Sequence, residues 1–145
     1  MNTAISSAVA ACLILFAAIA RGDDAELKRL QGRFERTFTN KAGVQFRTIK
    51  DVAGDQSTVT TFDDVGNIVE EHRSTFKVEK RGSVNVLSFF NVVVTAGPEK
   101  GSTDPATRSY IYRLDGDNFA EAWGLLEGDA SPPRIFFWKK SKGEQ

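Results

Sequence analysis

Polar side chains at two-residue spacing form the part of this sequence best suited to chemistry. Glu70, His72 and Ser74 alternate along residues 68–79, a stretch that is predicted to be a strand. Alternate side chains of a strand share one face. The other face of this strand is nearly all polar and should meet solvent, so these three side chains are expected to point inward together with Phe76.

Two further charged residues are placed inside by the same alternation. Arg36 lies between Phe34 and Phe38, and Glu121 lies between Phe119 and Trp123. A cavity with aromatic walls and a few converging polar groups is typical of a ligand site. Arg36 and His72 would donate hydrogen bonds to a small apolar or weakly anionic molecule. The predicted ligand-binding residues are Phe34, Arg36, Phe38, His72, Ser74, Phe76, Glu121 and Trp123.

Two other interpretations of these polar groups stay open. Arg36 and Glu121 would pair with each other if they serve structure alone, with His72 and Ser74 bonded together or to water, because buried charges are normally satisfied. An enzyme would instead use His72 as a general base beside Glu70 or Glu121. The sequence has no G-x-S-x-G or other catalytic motif, so we predict no enzymatic activity and no catalytic residues.

Metal ions and cofactors are not predicted. The chain has one histidine and one cysteine, Cys12, whereas a zinc site usually draws on several such ligands. Asp115-Gly116-Asp117-Asn118 lacks the remaining ligands of a calcium loop and is predicted to be a hairpin turn.

The charge balance excludes two classes of partner. Lysine plus arginine and aspartate plus glutamate each number 19. Arg21 is the only charged residue of the predicted leader, residues 1–22, so its removal would leave 18 basic and 19 acidic residues. A nucleic-acid binder needs a basic surface to neutralise phosphates. We therefore predict no nucleic-acid partner and no purely electrostatic attachment to a membrane.

The first residues, 1–22, are predicted to be a signal peptide. Their apolar stretch, Ala8–Ala20, covers 13 residues, which suits a leader and is short for a membrane span. Cleavage is expected after Ala20 or after Gly22, and an uncleaved anchor is the alternative. The prediction is therefore an exported protein, periplasmic or secreted, with one domain over residues 23–145. Cys12 lies in the leader, so the domain itself would contain no disulfide.

The domain is predicted to be all-β. A short helix is expected at Asp24–Gln31, followed by about eight strand-like stretches with turn signals roughly every 10 residues. The long apolar run Val84–Thr95 suggests a bent strand or a bulge near Asn91. Short connections favour an antiparallel up-and-down barrel, whose closure removes exposed edges. A β-sandwich is the second choice.

Three motifs in order resemble a family of lipocalin-like exported proteins that are abundant in planctomycete bacteria. The motifs are Leu30-Gln31-Gly32-Arg33-Phe34, Gly97-Pro98-Glu99-Lys100-Gly101 and the Tyr110–Asp117 hairpin. In the first motif the family usually has tryptophan at the position of Phe34. The resemblance covers most of residues 26–140. It implies a lipocalin-like barrel outside the cytoplasm and implies no established activity, ligand or catalytic residue.

Three functions follow as hypotheses. The leading one is a small-molecule-binding module, with the ligand inside the barrel and no cofactor. The second is a filled barrel whose loops, Ala96–Ala106 and Glu127–Pro133, bind another protein. The third, a small barrel enzyme that uses His72, has the least support from the residues. The sequence does not predict an oligomeric state.

Overall fold

The computed structural model describes residues 24–126, 128 and 132–142. The predicted leader and both cleavage positions lie outside these residues. The described part contains one short helix and nine strands: α1 Asp24–Arg29, β1 Gly32–Thr39, β2 Gln45–Ala53, β3 Gln56–Phe62, β4 Ile68–Arg81, β5 Val84–Ala96, β6 Thr103–Asp104, β7 Arg108–Asp115, β8 Asn118–Trp123 and β9 Arg134–Lys140.

The eight longer strands form a closed antiparallel barrel. Around the barrel each strand pairs with the next in sequence, from β1 through β5 and then β7, β8 and β9, and β9 returns to β1. The two-residue strand β6 adds only to β5. The prediction of an all-β, up-and-down, lipocalin-like barrel with a short N-terminal helix is confirmed, and the closed ring excludes the sandwich. Among the described residues no helix is long and apolar enough to cross a membrane.

The hairpin between β7 and β8 shows how local sequence sets the connections. Asp115 pairs with Asn118, so Gly116 and Asp117 form a two-residue turn. Gly116 has a φ of 58°, a conformation that glycine adopts without the steric cost that a Cβ would bring. The turn therefore permits the direct strand-to-strand return that an up-and-down barrel requires.

Strand β5 contains the bulge that its length predicted. Arg73 pairs with Val93 but Thr75 pairs with Phe90, so β5 has one residue more than β4 in this interval. Asn91 lies within it, with a φ of 53°. The extra residue shifts the alternation by one position, so that the interior is lined by odd-numbered residues before the bulge and by even-numbered residues after it. Phe89 faces inward before the bulge, and Val92 does so after it.

One end of the barrel is closed by α1 and packed with apolar side chains. The Gln31 amide reaches the turn between β2 and β3, donating to the Gly54 carbonyl at 3.0 Å and accepting from the Gly54 N–H at 2.7 Å. We call the interior behind this helix the closed half. Its buried apolar residues are Leu30, Phe34, Val52, Phe76, Val78, Leu87, Tyr112, Leu114, Phe119 and Trp138.

The seam between β1 and β9 is short. These strands pair only at Phe34–Lys140 and Glu35–Lys139, next to the closed end. Farther along, Arg36 fills the interior side of the seam, with its guanidinium carbon 4.3 Å from the Phe136 ring centre and 4.8 Å from that of Trp138. Arg36 is two residues from the buried Phe34, so strand alternation places its side chain inside the barrel, beside the part of the seam where β1 and β9 do not pair.

Candidate functional site

The interior beyond Arg36 holds a cavity of about 640 Å³, and we call this part of the barrel the open half. Strands β1 and β9 contribute one side chain each to its lining, every other long strand contributes two or more, and the β5–β7 connection contributes four. The lining residues are Arg36, Thr48, Lys50, Val59, Thr61, Glu70, His72, Ser74, Phe89, Val92, Val94, Glu99, Ser102, Thr103, Asp104, Arg108, Tyr110, Glu121, Trp123 and Trp138.

A buried ion pair forms the floor of this cavity. The Lys50 ammonium donates a hydrogen bond to the Glu121 carboxylate, and both side chains are almost fully buried. Trp138 Nε1 donates to the second carboxylate oxygen at 3.0 Å. Glu121 therefore has a partner on each oxygen, as a buried carboxylate requires.

Aromatic rings surround the lysine end of this pair. Lys50 Nζ lies 4.5 Å from the centre of the Trp138 ring, 5.2 Å from Phe119 and 5.4 Å from Phe89. Burial lowers the pKa of Lys50 from 10.5, and the nearby Arg36 charge lowers it further, while Glu121 acts in the opposite direction. The ammonium is stabilised by one carboxylate and by the faces of the rings.

Arg36 differs from the other interior charges because it has no charged partner in contact. Its guanidinium stacks against Phe136, Trp138 and Phe38, and it makes no hydrogen bond or salt bridge to any residue in the described ranges. Burial lowers the pKa of Arg36, and Glu121 partly offsets this. An arginine remains protonated under such conditions. The cavity therefore contains one positive charge that the described residues leave without a contact ion pair.

One wall of the cavity is a stack of aromatic rings. Tyr110 and Trp123 lie nearly parallel, with centres 4.3 Å apart and an angle of 8° between their planes. Phe136 meets the other side of Trp123 edge-on at 4.7 Å. Their side chains come from β7, β8 and β9, neighbouring strands whose alternation points these residues inward. The wall offers apolar ring surface to an apolar or aromatic ligand.

His72 lies on the opposite side of the barrel, on β4. Its Nδ1 is 3.8 Å from a Glu70 carboxylate oxygen. Burial lowers the pKa of His72 from 6.5, with Lys50 lowering it further and Glu70 opposing both. The imidazole is therefore neutral at neutral pH and presents one donor and one acceptor.

The mouth is shaped by the connection between β5 and β7. Gly97 packs so closely on β4 that a Cβ there would lie 2.6 Å from the Val69 carbonyl oxygen. Asp104 and Arg108 form an ion pair at 2.7 Å beside the opening. This packing holds Glu99 and Ser102 at the cavity edge.

The eight predicted ligand-binding residues fall into two groups in the structure. Five of them line the cavity: Arg36, His72, Ser74, Glu121 and Trp123. Phe34 and Phe76 instead lie in the closed half, and Phe38 lies near the mouth with 38% of its surface exposed. The alternative pairing of Arg36 with Glu121 is not what the structure contains, because Lys50 is the direct partner of Glu121.

Sequence reasoning missed Lys50, Trp138 and Tyr110. Tyr110 and Tyr112 share one face of their strand, and residue alternation alone does not say whether this face or the face of Ile111 points inward. Lys50 shares its face with Thr48 and Val52, and a lysine with a threonine normally indicates a solvent-facing surface. The usable signal was Glu121, a carboxylate between two aromatic residues, which requires a buried cation from elsewhere in the chain.

No protein-family model, curated protein or solved structure matches this chain. Within the described ranges, no group of three or more histidine, cysteine, aspartate or glutamate side chains is placed to hold a metal ion.

Proposed function

We propose that this protein binds a small organic molecule inside the open half of its barrel. The ligand would have an apolar or aromatic body and one anionic group, with a carboxylate as the simplest form. The observation that carries the proposal is a cavity of about 640 Å³ with the Arg36 guanidinium on its wall and no contact ion pair for that charge. Cavities of this size are usual for small-molecule sites.

The anionic end is assigned to Arg36. Arg36 is half-buried, so its charge has lost part of its contact with bulk water, and a ligand carboxylate would supply the missing partner. Arginine binds carboxylates through two parallel N–H donors, with charge-assisted hydrogen bonds that are stronger than neutral ones. Lys50 is less suited to this role because it already donates to Glu121.

The apolar body is assigned to the space between the aromatic wall and strands β3 and β5. The Tyr110–Trp123 stack lies on one side, and Val92, Val94 and Val59 supply aliphatic surface. His72 and Ser74 would orient a polar substituent on the β4 side. Such a lining favours an elongated or flat molecule.

The cavity is also the reason to prefer a ligand over the other two hypotheses. A protein-interaction module built on a filled barrel does not need an interior volume of this size. The enzyme hypothesis places His72 beside Glu70, whose Oε1 lies 3.8 Å from Nδ1, and it leaves the role of the Arg36 charge unexplained. We therefore propose binding without catalysis.

The proposed location is outside the cytoplasm, because residues 1–22 have the pattern of a cleaved leader. Amino-terminal sequencing of the protein isolated from its host tests this. A first residue of Arg21 or Asp23 would support export with cleavage, whereas an intact Met1 on a cytoplasmic protein would contradict it.

Tryptophan fluorescence offers a direct binding test, because both tryptophans of the chain, Trp123 and Trp138, line the cavity. The probes are 4-phenylbutyrate and its uncharged analogue 4-phenylbutanol. We expect saturable quenching by the carboxylate and at least about tenfold weaker binding of the alcohol, since a hydrogen bond to a charged group contributes about 1.5–3 kcal/mol.

The matched variants are Arg36→Gln and Arg33→Gln. Arg33 belongs to the same strand but points outward, where it pairs with Asp51. Arg36→Gln should remove the preference for the carboxylate, and Arg33→Gln should leave it unchanged. Equal affinity of the two probes for the unaltered protein, or no saturable signal from either, would refute the proposal.

A further inference from the structure

Lys50 is a buried nucleophile that anion binding at Arg36 does not use. It is 5% exposed, yet it reaches the floor of the cavity that we assign to the ligand. Within the described residues its only hydrogen-bond partner is Glu121. A lysine at the base of a ligand cavity differs from a surface lysine because a ligand must enter the barrel to reach it.

The surroundings of Lys50 favour its uncharged form more than water does. Little solvent reaches the amine and the Arg36 charge is near, and these two effects outweigh the opposing effect of Glu121. Desolvation and a neighbouring cation are the two devices that make a lysine amine nucleophilic near neutral pH. Both lower the pKa of Lys50, in agreement with the geometry.

Glu121 is placed to accept and return the proton of the Lys50 amine. The carboxylate accepts a hydrogen bond from Lys50 Nζ on one oxygen and from Trp138 Nε1 on the other. It can accept a proton from the ammonium before attack and return one to the departing oxygen. After the reaction it would pair with a protonated imine at the position where it now pairs with the ammonium.

We propose that Lys50 captures an apolar aldehyde in this cavity as an imine. The inference rests on the proposed function in one respect, since the aldehyde must occupy the same cavity as the anionic ligand. The Lys50 nitrogen forms a bond to the carbonyl carbon, and the carbonyl oxygen becomes the hydroxyl of a carbinolamine. Loss of that hydroxyl as water leaves the C=N bond. No oxidant or reductant is consumed, and added water reverses the reaction.

The aromatic wall selects the class of aldehyde. A flat conjugated or aryl group would lie against the Tyr110–Trp123 stack while its carbonyl carbon reaches Lys50. A small, strongly hydrated aldehyde would gain little from these rings. We therefore assign the site to aryl or conjugated aldehydes.

The experiment is reductive trapping on the full purified chain. The protein is mixed with one equivalent of trans-cinnamaldehyde and cyanoborohydride, and the modified lysines are identified by peptide mass mapping. A reduced adduct adds the mass of the aldehyde less one oxygen atom. We expect Lys50, despite its burial, to be modified at least about tenfold faster than the exposed lysines such as Lys41, Lys80 and Lys139.

Two variants check the assignment. Lys50→Arg keeps the positive charge beside Glu121 and removes the nucleophile, and Lys80→Arg is the matched exposed control. The first should lose the fast adduct and the second should retain it. Mapping the unaltered protein gives a result that does not depend on whether Lys50→Arg folds.

The outcomes separate this inference from the proposed function. Modification spread over exposed lysines with Lys50 unreacted, in a protein that binds 4-phenylbutyrate, would overturn the inference and leave anion binding intact. Rapid modification of Lys50 that 4-phenylbutyrate slows would support both. Fast modification of Lys50 without any binding of 4-phenylbutyrate would support the aldehyde site and overturn the assignment of Arg36.

Discussion

The two halves of this barrel are built from the same strands but differ in what fills their interior. In the closed half, Leu30, Phe34 and Phe119 are almost fully buried and pack under α1. In the open half, the continuations of those strands surround a cavity with a charged floor and an aromatic wall. The difference shows that one half can supply the hydrophobic stabilisation of the domain while the other tolerates groups that cost stability.

The Lys50–Glu121 pair marks the boundary between the halves. Below it the interior is apolar apart from the buried Ser57, and above it arginine, histidine and serine line the cavity. A domain of this size has one modest core, so polar groups concentrated on one side leave the packing of the other uninterrupted. The comparison therefore predicts large stability effects in the closed half and mainly binding effects in the open half.

The largest effect is expected from Phe34→Ala. The side chain is fully buried against Phe119, with ring centres 5.2 Å apart. Truncation leaves a cavity in the closed half and should lower the free energy of unfolding by about 4 kcal/mol. Chemical denaturation measures this free energy of unfolding, and Phe38→Ala, near the mouth, is the control. A similar loss for both variants would remove the distinction between the halves.

Glu121→Leu should rank next, at about 3 kcal/mol of lost stability, because it leaves the Lys50 ammonium buried without its partner. The double variant Lys50→Met/Glu121→Leu removes both charges and should recover most of the loss. Denaturation of the single and double variants makes this comparison. If the double variant were less stable than Glu121→Leu, the unpaired Lys50 charge would not be the cause of the loss.

A smaller effect is expected at the mouth. Gly97→Ala combines a φ of 101° with a Cβ that would meet the Val69 carbonyl oxygen, and strain of this kind costs about 1–3 kcal/mol. Gly101→Ala is the control, since its φ is 92° but nothing lies within 4 Å of its Cβ. Thermal melts of both variants test the contact. Equal melting temperatures of the two variants would show that the contact between Gly97 and the Val69 carbonyl oxygen does not restrict the side chain at position 97.

The smallest effect concerns pH. The folded pKa of His72 lies below its ordinary value of 6.5, so between these two values the unfolded chain binds more protons and stability falls as pH falls. His72 is the single histidine, so His72→Gln should show a shallower loss of stability between about pH 7.5 and about pH 5.5. Parallel slopes for the two proteins would contradict the lowered pKa.

The sequence predicted the fold better than the site, and particular residues explain why. Strand alternation, the Asp115–Asn118 turn and the run around Asn91 depend on local chemistry, and the structure contains the barrel, hairpin and bulge that they indicated. Alternation also indicated that Arg36, His72 and Glu121 face inward. It could not tell the closed half from the open one, because that depends on which end α1 covers.

The partner of Glu121 also could not be predicted from the local sequence pattern. Lys50 and Glu121 are 71 residues apart and meet only through the closure of the ring. A single buried lysine on a strand resembles a surface lysine until its neighbours across the barrel are known. The same limit applies to Trp138, whose indole nitrogen completes the carboxylate's hydrogen bonds.

The most direct test of the division between the halves is amide chemical-shift mapping during titration with 4-phenylbutyrate. We predict saturable shifts in the strand segments that line the cavity, around His72, Val94 and Trp123. In Arg36→Gln the same shifts should need at least about tenfold more 4-phenylbutyrate to saturate. Amides of α1 and of the closed half around Phe34 should move little. Shifts confined to the outer surface, or centred on the closed half, would contradict the account.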